Sequence, residues 1–146
     1  MPPILQQLIE AQPGQVHRDN PARVDVELAA LGVGADGQFA EFFRRYRVTL
    51  FRSVVSDEQL CDIADPSPEI ALGTRFVQEV WELPQNFICL TSVQGEGAYL
   101  YDVSTEAVWD FSLADRDDFV SGKGTPAWAS FYDFLTWYLE VSPVSE

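Results

Sequence analysis

Hydrophobic positions change their spacing along the chain, and the spacing predicts the elements. Ile4, Leu5, Leu8 and Ile9 lie on one face of a 3.6-residue period, which predicts a short helix over Pro3 to Gln12, stopped by Pro13-Gly14. A polar loop over 13–21 carries the only histidine, His17. Pro21 opens a second helix to about Leu31, with Val24, Leu28 and Leu31 aligned and Gly32 and Gly34 as its stop. Phe39, Phe42, Phe43 and Tyr46 form a buried stripe on a third helix, from an Asp36 cap to about Arg47. Arg44, Arg45 and Arg47 reach from it to water.

The next stretch reads as a strand over Val48 to Val55, then a short helix opened by a Ser56/Gln59 capping box. Phe76, Val77, Val80 and Trp81 favour a helix over Arg75 to Leu83, ended by Pro84; as a strand, each side of this stretch mixes charged with apolar residues. From Phe87 to Phe111 the period shortens. Apolar runs at 87–93, 98–101 and 107–111 are separated by Gly95-Glu96-Gly97 and Asp102 to Glu106, which predicts an antiparallel meander. Asp115 to Asp118 reads as an acidic turn, and Phe119-Val120 as one more short strand. Thr125-Pro126 opens a last helix that Ser142-Pro143 ends. Its Trp128, Phe131, Tyr132, Leu135, Tyr138 and Leu139 are the cover for the sheet.

Composition adds class and location. A chain of 146 residues with 47% hydrophobic and 13% aromatic residues is expected to fold as one domain over 1–146. No apolar run approaches the roughly 20 residues of a membrane span, and the start lacks a basic region leading into an apolar one, so the cytoplasm is expected. Cys61 and Cys89 lie in apolar surroundings and read as small core residues rather than a bridge.

The net charge of −14 is unevenly distributed: residues 56–118 hold 14 acidic and 2 basic side chains, whereas residues 1–55 hold 6 of each. Such a field disfavours nucleic acid and anionic membrane, and it speeds association with a basic partner. Motifs for catalysis are sparse. His17 has no ligand-spaced companion, and the glycines at 95, 97, 122 and 124 lack the sequence of a phosphate loop. Lys123 is isolated and reads as solvated. Glu79/Glu82 and Asp57/Glu58 are carboxylate pairs of the kind a small hydrolase uses, though 23 acids produce such pairs by chance. No cofactor or metal is expected.

The order LAALGVGADGQFAEFFRRYR, LFRSVVSDEQL, LPQNFICLTSVQGEGAYLYDVSTEAVWDF and WASFYDFLTWYLE resembles the SUKH superfamily, over about residues 25–140. That family joins bacterial toxin-immunity proteins to a yeast regulator of cell-wall synthesis. The resemblance implies an α+β fold, with a single mainly antiparallel sheet flanked by N-terminal helices and a C-terminal helix. It also implies a non-enzymatic immunity protein that neutralises a cognate toxin, often a nuclease, by occlusion. A regulatory or scaffolding domain of the same fold is the alternative. The candidate contacts are the turn acids Glu96, Asp102, Glu106, Asp110, Asp115, Asp117 and Asp118, with Tyr99 and Trp109 as exposed aromatic anchors. Monomer and homodimer both remain open.

Overall fold

A computed structural model describes residues 1–65, 67–93 and 95–140. Its elements run α1 (Pro3–Glu10), α2 (Ala22–Leu31), α3 (Gln38–Arg45), α4 (Glu69–Glu79), β1 (Phe87–Cys89), β2 (Gly97–Asp102), β3 (Val108–Ser112), α5 (Arg116–Val120) and α6 (Phe131–Leu139). The fold is α+β, built on a single antiparallel sheet of order β1-β2-β3.

Strand periodicity assigns the sheet residues to two faces. Register places Tyr99 opposite Asp110 and Tyr101 opposite Val108, with Ala98 opposite Phe111 and Leu100 opposite Trp109 on the alternate positions. Tyr99, Tyr101, Val108 and Ile88 join the larger core, formed with α1, α2, α3 and α6. There Phe39 stacks on Tyr101 at 4.7 Å between ring centroids, and Phe134 meets Tyr99 edge-on at 5.2 Å. The other face carries Ala98, Leu100, Phe111, Phe87 and Cys89, covered by Val77, Trp81 and Leu83 and by Phe119 of α5. Both faces are therefore buried, which is why β2 is apolar at positions of both parities.

Helix ends follow local chemistry. Gly32 takes φ 75° at the end of α2, where a left-handed residue closes the last turn. Gly37, one residue beyond the predicted Asp36, is the cap of α3. The last helix starts at Ser130, whose Oγ accepts from the Asp133 N–H at 3.1 Å, not at Thr125-Pro126. The intervening chain is claimed by the sheet: Val108 N–H donates to Trp128 O at 2.9 Å and Trp128 N–H to Val108 O at 3.0 Å. The predicted stop at Ser142-Pro143 lies outside the described residues.

Three other segments depart from the expectation. α4 begins at Glu69 and ends at Glu79, so it starts before the predicted helix over 75–83 and stops short of Pro84. α4 packs on β1 here: Thr74 Oγ1 accepts from the Cys89 N–H at 3.0 Å, and a Cβ on Gly73 would make only ordinary contact with Cys89 at 3.5 Å. The chain at 115–120 is helix, not turn and strand, and Phe119 is held at 4.6 Å from Phe87 and 5.0 Å from Phe111. Residues 48–63 are neither strand nor helix. The predicted capping box does not form; Ser56 Oγ accepts from the Glu58 N–H and shares a hydrogen bond with the Tyr99 hydroxyl at 2.9 Å.

A buried ion pair shapes that irregular stretch. Arg18 bonds Asp62 at 2.8 and 3.0 Å, Asp65 at 2.7 Å, and the carbonyls of Phe43 and Tyr46 at 2.5 and 2.9 Å. Asp62 also accepts from the N–H groups of Val48, Ala64 and Asp65. The Arg18 and Asp62 side chains are 1% and 0% exposed. Leaving one member of such a pair alone costs about 3–5 kcal/mol, so Arg18→Met and Asp62→Asn each lower stability by about that amount in urea unfolding. In the sheet, a Cβ on Gly97 would lie 2.7 Å from the Phe111 carbonyl, whereas one on Gly95 meets nothing within 4 Å. Gly97→Ala therefore destabilises by about 1–3 kcal/mol in the same assay, and Gly95→Ala changes stability by less than about 0.5 kcal/mol.

Candidate functional site

The strand register and the caps decide which of the nine candidate residues reach solvent. Tyr99 is not an exposed anchor: it is 8% exposed, with its ring against Trp128, Phe134 and Trp137. Asp102 is also buried. Its Oδ1 accepts from Asn86 Nδ2 at 3.0 Å, from the Ser104 N–H at 2.9 Å and from the Ser104 hydroxyl at 2.6 Å. Burial raises the pKa of this carboxyl, but the Ser104 and Asn86 hydrogen bonds outweigh it and the net shift is downward. Asp102 thus builds the β2–β3 turn. Glu106, at φ 66° in that turn, lays Oε1 where a Cβ of Gly37 would be 2.8 Å away, beside the N-terminus of α3.

The remaining candidates lie toward the other end of the hairpin. Glu96 is exposed, and its carbonyl accepts from the Leu113 N–H at 2.7 Å. Trp109, Asp110, Asp115 and Asp118 line one groove of about 250 Å³, with Phe119 and Lys123. β3 is one wall; α5 and the loop that follows it form the other. Asp117 points to solvent and pairs with Arg116 at 3.0 Å.

Charge in the groove is one-sided. Lys123, at 3.7 Å from Asp118, is the single cation in its lining, against the carboxylates of Asp110, Asp115 and Asp118. Arg116 does not compensate, because its Nε donates to the Trp81 carbonyl at 2.7 Å and ties α5 to the chain after α4. Desolvation raises the Asp110 carboxyl above its usual range. Trp109 is half-buried, and its indole N–H is buried with no acceptor among the described residues. The sequence reads Lys123 as solvated and Phe119 as part of a strand, because nothing local marks either as a neighbour of β3.

A second groove, about 470 Å³, is lined by Asp57, Glu58, Glu69 and Cys61. It forms where Cys61 N–H bonds Leu90 O at 2.8 Å and Ser92 N–H bonds Gln59 O at 3.3 Å. Cys61 and Cys89 are free thiols, pushed up to about 12 and about 11 chiefly by burial. Such thiols stay protonated at neutral pH, the opposite of an activated nucleophile. Of the carboxylate pairs, Asp57/Glu58 lies in this groove, while Glu82 is exposed and 3.7 Å from Arg116. His17 is bonded to Glu10 at 2.9 Å. Among the described residues no group of three or more His, Cys, Asp or Glu side chains could hold a metal ion, and no helix is long and apolar enough to cross a membrane.

In comparisons with known proteins, no family model and no curated protein matches this chain.

The Asp110 shift has a testable sign. A carboxyl raised in the folded state favours folding below its unfolded value, near 3.9, and that contribution is lost as pH rises through the folded value. Asp110→Asn therefore raises the unfolding midpoint relative to the parent at pH 7 and leaves it unchanged near pH 3, as thermal melts at the two pH values will show.

Proposed function

We propose that this chain is a non-catalytic, cytoplasmic immunity protein that binds a basic bacterial toxin and occludes its active site. The single observation that carries the reading is the groove beside β3, where Asp110, Asp115 and Asp118 face one lysine. The excess of acids over residues 56–118 and the SUKH-like order of parts support it from the sequence side. For a nuclease toxin, the carboxylates stand where the phosphates of its substrate would lie. Steering by this field brings association at low salt toward 10⁸ M⁻¹s⁻¹, a rate that falls as salt is added.

Co-purification from the native strain identifies the partner, and the product of the neighbouring gene is the first candidate. The triple substitution Asp110→Lys, Asp115→Lys, Asp118→Lys weakens binding by at least about 100-fold in surface plasmon resonance, mostly through a slower association. Unchanged affinity of a folded triple variant, or a partner without a basic face, overturns the proposal.

A further inference from the structure

Among the described residues the outer edge of β3 is open beyond Val108, and its hydrogen-bonding direction follows from the ladder. Tyr99 uses its carbonyl toward β1, accepting from the Leu90 N–H at 2.9 Å, so Ala98 and Leu100 bond toward β3. Their partners Phe111 and Trp109 bond inward in turn. Asp110 and Ser112 are the alternate positions, and their N–H groups point away from the sheet. Val108 shares that outward direction, and there the edge is closed by Trp128. Past Val108 the chain before Trp128 splays off toward α5, leaving the groove. Among the described residues no backbone group pairs with the Asp110 N–H or C=O, or with the Ser112 N–H. Asp110 and Ser112 are both exposed and line the groove.

We propose that this edge receives an extended segment of a protein partner, added as a further strand, in which lysine or arginine alternates with apolar residues. Strand addition satisfies the outward N–H and C=O groups, and the side-chain period of two sets the sequence. A residue facing Asp110 stands beside its carboxylate; its neighbours fall on the side of Trp109 and Phe119. Asp115 and Asp118 at the rim complement basic residues flanking the apolar ones. Pairing with a second copy of this chain is opposed by its own net charge of −14. The inference rests on the acidic-face reading proposed above and specifies how that face is read.

The test uses the full chain and two synthetic octapeptides of alternating lysine and valine. One is unmodified; the other is N-methylated at alternate residues, which keeps the charge and removes the donors for pairing. Amide exchange is followed by NMR at millimolar peptide. The unmodified peptide is expected to slow exchange at Asp110 and Ser112 by roughly tenfold or more, and the methylated one to leave it unchanged. Equal protection by both peptides, or protection by neither, overturns strand addition. Protection that grows with protein concentration in the absence of peptide overturns the choice of occupant in favour of a second copy. The functional reading is judged separately: a natural partner that is lost on the triple lysine substitution without protecting these amides sinks only the pairing mode. Protection by the peptide alongside a partner indifferent to the triple substitution sinks only the functional reading.

Discussion

The Arg18–Asp62 pair holds together parts of the chain that no regular element connects. Arg18 lies just before α2, yet its guanidinium reaches the Phe43 and Tyr46 carbonyls at the end of α3, as well as Asp62 and Asp65. It thus does for α3 what a C-terminal cation does for any helix, satisfying carbonyls that have no intrahelical donor. Asp62 does the reverse for the chain after α3, gathering the N–H groups of Val48, Ala64 and Asp65. Removing two charges from water is costly, and the arrangement is tolerable only because its donors and acceptors are shared among so many partners. With the pair in place Phe51, Leu60 and Ile63 enter the core, and residues 59–61 are delivered to the end of β1.

The sheet then separates two kinds of packing. Its larger core is aromatic and joins the first three helices to α6. The smaller one sits under α4 and α5. Residues of β2 alternate between these cores, and residues of β3 sit at the boundary. Trp109 and Phe111 go to the small core, while Asp110 stays exposed on the other side. The acidic groove exists because α5 folds back over the small core and the following loop returns only as far as Val108.

Much of this was legible. The meander, α1 and α2, the aromatic stripe of α3 and that of α6 from Phe131 onward lie where periodicity predicts, because burial of one face repeats along each element; Trp128, predicted on the last helix, is instead bridged to Val108. Residues 48–63 were not legible. Their β-branched residues and their Ser/Gln pair imitate a strand and a cap, but Asp62 accepts from the Val48 N–H, the Ser56 hydroxyl shares a bond with the Tyr99 hydroxyl, and Gln59 donates to the Phe51 carbonyl. For α5, Phe119 needs three ring neighbours from distant parts of the chain before five residues make a helix. The acids divide in the same way. Composition marks the middle of the chain as acidic, while only the fold sends Asp102 inward to its turn and Asp110, Asp115 and Asp118 to one groove.

By itself the sequence determined the class of fold, the three strands and their order, and the placing of negative charge, since these depend on residue type and on spacings of a few positions. Tertiary structure decided the rest. Arg18 and Asp62 are 44 residues apart, and the walls of the groove come from separate elements. Neither relation leaves a period in the chain, because a hydrogen bond between distant side chains and a groove between separate elements both depend on where the backbone has already gone.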